Sequence, residues 1–340
     1  MISSPPPEAL APPPERLLLF EPDAARVRFL DQRMRRRLGD SLRHVFDQSE
    51  GHFSFSSEQA KAFLDRLDAL PVEPLAFTFY LELVMAIDSD DLDLAARITE
   101  ELLSLPAPNA GTVVETMPDP LIDANGARYS RFLDSDSSAR FEVTPPTRAM
   151  DLRCRAQIER AFILLDKGAP TLAAETRALL RKIVLAAGTQ AKGTYTFDGA
   201  SAAMLWGCIL INADRADTPL DMAQMLVHES AHNLIFGLAV DEPLLENDAD
   251  ERYASPLRPD ARPLEGIYHA TYVLARMHLV VDLLAKSGIL SPDDQAKAER
   301  DRAQNRKLYL DGYATISRHA RLTPLGARLL EYAHTYMTAA

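Results

Sequence analysis

The sequence predicts an α+β protein, mainly helical, with a small antiparallel sheet next to one helix that carries a metal-binding pattern. Three observations carry this expectation. Apolar residues recur at three- and four-residue spacings over most of the chain. Strand-like runs are confined to a few short stretches before residue 212. Directly after them comes His228-Glu229-Ser230-Ala231-His232, the H-E-x-x-H pattern, inside a segment with good helix termini.

Composition bounds the rest. A length of 340 residues suggests about two domains, and 47% hydrophobic residues can build a sizeable core. The net charge of −12, from 37 basic and 49 acidic residues, argues against a nucleic-acid partner. Cys154 and Cys208 form no CxxC pair, so neither a disulfide framework nor a cysteine zinc knuckle is indicated. The start, Met1-Ile-Ser-Ser-Pro-Pro-Pro, lacks the regions of a signal peptide. No run approaches the roughly 18–20 apolar residues of a membrane span. A soluble, cytoplasmic protein without a membrane partner is the expectation.

Residues 1–15 form a Pro-rich tail expected to be disordered or extended. A helical region follows over 16–147. Its first helix, from Glu21 to about Phe46, places Val27, Leu30, Met34, Leu38 and Leu42 on one side. The run Arg33, Arg35, Arg36 and Arg37 reads as a solvated helix face, with a phosphate or leader-peptide contact as the alternative. Ser56 or Ser57 caps a helix to Leu70, and two more span about Glu73–Ile87 and Asp91–Leu105. Prolines break residues 106–147, where short strands fit Gly111–Glu115 and Arg140–Val143.

Residues 148–340 are expected to form the catalytic domain. Helices are predicted over Arg148–Lys167 and Thr171–Ala187. Thr194–Phe197 and Met204–Ile211 read as strands joined by a turn at Asp198–Ser201. Thr218 and Pro219 then start the HExxH helix, Asp221 suits its positive end, and Gly237 can close it. That helix is apolar on most sides, so it is expected to be buried. Two histidines and a glutamate in such a place are costly unless something binds them. Positions i and i+4 share a face, so His228 and His232 can hold one metal ion.

A third ligand is needed, and the next helix offers it. Pro263 starts a helix to Lys286 in which both Glu265 and His269 lie in the first turns. His269 sits among apolar residues and is the preferred ligand; Glu265 is the alternative. His278 lies on another face and reads as structural, and His44, His52, His319 and His334 have no motif around them. Two last helices, from Ser291-Pro292 to about His319 and from Thr323-Pro324 to about Met337, close the domain.

Two chemistries compete for this pattern. In a zinc metallopeptidase, Glu229 would act as the base on metal-bound water, and a neighbouring strand would hold the peptide by β-augmentation. The H-x-x-G-x-x-H continuation of one protease class is absent after His232. The second chemistry comes from a resemblance. His228-Glu-Ser-Ala-His-Asn-Leu, followed by Ser255-Pro-Leu-Arg-Pro-Asp-Ala-Arg-Pro-Leu-Glu-Gly-Ile-Tyr-His-Ala-Thr-Tyr272, resembles the 2-oxoglutarate-dependent HExxH-type peptide β-hydroxylases of ribosomal peptide pathways. The similarity spans about residues 190–285.

This resemblance implies a zincin-like catalytic half with a non-haem Fe(II) site held by His228, His232 and His269. It implies 2-oxoglutarate and O2 as co-substrates and a precursor peptide as substrate, with other peptide-modifying enzymes as further partners. Three facial ligands leave room on an octahedral iron for a bidentate keto acid and dioxygen. The far carboxylate of the keto acid calls for a guanidinium, and Arg258 and Arg262 are the candidates. Both could instead pair with the acidic loop over Asp241–Ala261. Glu229 then orients a ligand or a water. A non-catalytic peptide-binding role is a third class, and the intact set of His228, Glu229, His232 and His269 argues against it.

Overall fold

The computed structural model describes residues 14–49, 51–133, 141–190, 197–215, 217–255 and 261–339. The Pro-rich stretch up to residue 13 lies outside them. The chain is α+β and mostly helical, and it divides into two compact units. Among the described residues, one unit takes Val27–Thr147 and Leu180–Asn212. The other takes residues 14–26, Arg148–Leu179 and the chain from Ala213 onward.

The first unit holds most of α1 (Ala24–Ser49), then α2 (Ser57–Ala69), α3 (Leu75–Asp88), α4 (Leu92–Leu103) and α5 (Ala124–Leu133). Their starts follow the sequence. Ser56 caps α2 by accepting from the Gln59 amide at 3.3 Å, and Asp91 caps α4 by accepting from Leu94 at 3.0 Å. The arginine run of α1 is not a solvated face. Arg33 and Arg35 are buried, and only Arg36 of the four is exposed. Arg35 pairs with Asp31 at 3.0 Å and donates to the carbonyls of Leu67 and Asp68. It thereby satisfies the carbonyl end of α2, which would otherwise be left bare.

The sheet differs from the expected antiparallel one. It is mixed, built from β1 (Val113–Thr116), β2 (Phe141–Thr144), β3 (Lys182–Gln190), β4 (Gly199–Ser201) and β5 (Cys208–Asn212). β1 and β5 flank β3 in parallel, with Val113 and Cys208 both paired to Lys182. β2 and β4 add antiparallel pairings to β3 and β5. The strand missing from the sequence reading is β3. The helix expected over Thr171–Ala187 stops at Leu179, and the chain then becomes the central strand. Ile183, Val184, Leu185 and Ala186 are all 0% exposed, so both faces are covered. A strand buried on both faces shows a continuous apolar run, which periodicity cannot tell from a buried helix.

Two smaller departures follow. Residues Ala203–Leu205 form a 3-10 turn, and β5 begins only after Gly207, whose φ of 81° is a left-handed backbone suited to glycine. The turn expected at Asp198–Ser201 is partly strand, as β4. Of the strand expected over Thr194–Phe197, residues 194–196 lie outside the described residues.

The second unit is a helical assembly of α6 (Arg148–Gly168), α7 (Pro170–Leu179), α8 (Pro219–Leu238), α9 (Leu264–Lys286), α10 (Pro292–His319) and α11 (Pro324–Ala339). α9 lies centrally, against α6, α8, α10 and α11. α10 approaches it closely at Gly312, where a Cβ would sit 2.2 Å from Thr271 Oγ1. Among the described residues no helix is long and apolar enough to cross a membrane.

Glu175 of α7 joins three segments of this unit. Its carboxylate is 1% exposed and pairs with both Arg26 and Arg276. The same carboxylate accepts from the Asp23 amide at 2.8 Å. Arg26 also donates to the carbonyls of Leu17, Leu19 and Glu21, and Arg276 to that of Phe20 at 2.8 Å. The segment before α1 is thus strapped to α7 and α9. Phe20 stacks on Tyr336 at 4.7 Å and meets Tyr272 edge-on at 5.9 Å. Burial alone would raise the Glu175 carboxyl, but Arg276 and Arg26 outweigh it and hold it below the ordinary range.

Removing one partner of a buried charge cluster costs roughly 3–5 kcal/mol. Glu175→Gln is expected to lose about that much stability in urea denaturation at pH 7. A carboxyl depressed in the folded state stabilises above its unfolded value, about 4.3, and loses that stability as pH falls through the folded value. The gap between wild type and Glu175→Gln should therefore narrow when the titration is repeated below about pH 4.

Candidate metal centre

The HExxH segment folds as α8, starting as its N-cap dictates and running past the expected stop at Gly237 to Leu238, with Ala239 as C-cap. Thr218 Oγ1 accepts from the Asp221 amide at 3.1 Å and donates to Asp221 Oδ2 at 2.8 Å. Pro219 takes the first helical position. α10 braces this end, with Lys297 on Asp221 at 2.8 Å and Asp301 accepting from Gln224 at 2.8 Å. Most of α8 is buried, as its apolar circumference predicts.

One helical turn apart, the rings of His228 and His232 lie 5.1 Å apart, centre to centre, at 61°. α9 brings His269 to the same place, 5.8 Å from His232 and inclined by 20°. Phe236, one turn beyond His232, closes the far side at 5.4 Å from His269. Glu229 is buried at 3% exposure, with Oε1 3.8 Å from His228 Nε2. His228 Nδ1 lies 3.2 Å from the Met277 thioether. The cluster is graded in exposure: the His228 side chain is 38% exposed, and His269 is buried at 9%.

Burial sets the electrostatics. Loss of water pushes the His269 imidazole down to about 4. The same loss of water, with His228 and His269 alongside, holds His232 well below its ordinary value. Both rings are therefore neutral near pH 7, the form that offers a lone pair to a metal.

The two candidates for third ligand separate clearly. Glu265 is exposed to solvent, while His269 faces His232. His278 binds Tyr336 Oη at 2.8 Å on another side of α9, a structural role. His334 stacks on Tyr313 at 3.8 Å, and His319 on Tyr253 at 5.0 Å, so neither joins the site. Arg262 is half-buried, and its backbone forms a bridge with Tyr253 at 2.8 and 2.9 Å. Arg258 lies outside the described residues. Phe236 and Met277 are neighbours of the site that the sequence analysis does not single out. Their spacings, four residues after His232 and eight after His269, carried the signal.

Imidazoles sharing one ion at roughly 2.0–2.1 Å have ring centres about 5 Å apart. The His228–His232 spacing matches this, and the His232–His269 spacing is slightly wider. The donor type fits a borderline divalent metal of the iron-to-zinc range. As they stand, however, no three His, Cys, Asp or Glu side chains among the described residues are arranged to hold a metal ion. No protein-family model matches this sequence, and no curated protein is significantly similar to it.

The arrangement separates His269 from Glu265 by experiment. In a Co(II) titration, His269→Ala should weaken binding by at least about tenfold, the scale of losing even a ligand's supporting partner. Glu265→Ala should leave it unchanged. The reverse outcome would move the third ligand to Glu265.

Proposed function

We propose that this chain is a non-haem Fe(II), 2-oxoglutarate-dependent hydroxylase of a ribosomally made precursor peptide. His228, His232 and His269 would hold the metal in a zincin-like catalytic half. The observation that carries the reading is the meeting of three imidazoles from α8 and α9, with His232 in the middle. The resemblance of the two motifs, in the right order, supplies the choice of chemistry.

The residues divide the work as follows. Burial keeps His232 and His269 neutral and ready to donate. Phe236 covers the two rings and limits water at that side. Glu229 stands beside His228 as a fixed carboxylate that can orient a ligand or a water. Arg258 and Arg262 are the candidates for the far carboxylate of 2-oxoglutarate, because a guanidinium binds it with two parallel hydrogen bonds. When bound, Fe(II) with 2-oxoglutarate and O2 supplies insertion of one oxygen atom into a β C–H bond, giving succinate and CO2.

A zinc metallopeptidase is the second reading, and one observation favours it. Glu229 Oε1, 3.8 Å from His228 Nε2, is close enough to reach a water on a metal held by that nitrogen. One assay separates the two. The chain is loaded anaerobically with Fe(II), then given 2-oxoglutarate, O2 and a precursor peptide encoded beside it. Succinate and a peptide gaining one oxygen atom are expected, and both should fall to background in His232→Ala. Peptide cleavage with Zn(II) and no keto acid would overturn the hydroxylase reading.

A further inference from the structure

Between α1 and α2, within the first unit, lies a surface cleft of about 330 Å³. That volume is at the small end of the roughly 300–1,000 Å³ of ligand sites. Its wall on α1 is a stripe at spacings of four, four and three: Gln32, Arg36, Asp40 and Arg43. Arg35, Leu67 and Asp68 complete the lining. Two of its three guanidiniums are already engaged. Arg35 pairs with the buried Asp31 at 3.0 Å, and Asp31 in turn accepts from the Trp206 indole at 3.3 Å. Arg43 pairs with Asp40 at 2.9 Å and with Asp68. Arg36 is exposed and has no acceptor among the described residues.

We propose that this cleft binds a peptide segment through one acidic side chain, whose carboxylate pairs with Arg36. A guanidinium offers parallel N–H groups that match a carboxylate. Gln32, Asp40 and Asp68 add acceptors beside it, which suit the N–H groups of a peptide backbone. The same two aspartates would repel a phosphate dianion or a nucleic-acid strand, as does a net charge of −12. One carboxylate with neighbouring N–H groups therefore fits better than a polyanion. Gln32, Arg36, Asp40 and Asp68 are all exposed, so an extended chain can run across the cleft. The cleft belongs to the first unit and the histidines to the second, so this binding needs no metal. A precursor peptide would be one such ligand under the hydroxylase reading.

The test uses the full-length protein without metal. The probe is a fluorescent pool of short capped peptides with glutamate fixed at the centre and varied flanks. A second pool carries glutamine there instead. Binding is followed by fluorescence anisotropy. The glutamate pool should bind at least about tenfold more tightly than the glutamine pool, the scale of a hydrogen bond to a charged group. Arg36→Ala should bring the two pools level. Arg36→Lys keeps the charge but loses the fork, and should fall between. Arg36 is an exposed helix residue, so either substitution leaves the fold intact.

Equal binding of the two pools by wild type, or no binding at millimolar peptide, would overturn the proposal. So would unchanged selectivity in Arg36→Ala. Free glutamate and inorganic phosphate serve as competitors. Displacement of the pool by either at concentrations below those of the peptides would assign the cleft to a free anion and overturn the peptide ligand.

Discussion

Two guanidiniums cannot be buried side by side without an anion between them, and in this protein that anion is Glu175. Arg26 and Arg276 are 1% and 2% exposed, and each alone would carry a large desolvation cost. The carboxylate between them makes their burial tolerable and ties the segment before α1 to α7 and α9. The backbone carbonyls of Leu17, Leu19, Phe20 and Glu21 take up further guanidinium N–H groups, while Nε of both arginines is buried without an acceptor among the described residues. Such a cluster is directional, unlike apolar packing. It ties α9, the helix that carries His269, to α7.

The same logic applies around the histidines, with a different answer. His232 and His269 sit where water is scarce, and among the described residues burial, not a charged partner, dominates their ionisation. Each is instead held neutral, which is the cheaper solution for an imidazole than for a guanidinium. A neutral buried imidazole is a poor ion-pair partner and a good metal ligand. Phe236 and Met277 complete the surroundings with one aromatic face and one thioether. The candidate centre thus sets neutral imidazoles beside one buried carboxylate, Glu229, while Glu175 and its arginines form a denser charge cluster elsewhere in the same unit.

α8 shows how far local chemistry reaches. Thr218, Pro219 and Asp221 mark its start, and the stacking of His228 over His232 follows from helical spacing alone. The start of α2 was narrowed to Ser56 or Ser57 and that of α4 to about Asp91, and Ser56 and Asp91 are the caps. The arginines of α1 were not. Whether Arg35 faces water or the end of α2 depends on residues 32 and 33 positions away, and no local pattern records that.

Sequence by itself determined the elements whose signals are short-range: capped helices, the HExxH spacing and the polarity that marks the proline-rich breaks. It also narrowed the candidates for a third ligand to two residues on one helix, Glu265 and His269. Tertiary structure decided what depends on distant partners. It made Lys182–Gln190 a central strand, because β1 and β5 cover an apolar run that could equally have been helical. It turned the sheet from antiparallel to mixed, because pairing direction is set by where the chain returns. It placed His269 against His232 and left Glu265 in solvent, because α9 is held by partners far along the chain: α8, α10 and, through Arg276, a carboxylate 101 residues earlier.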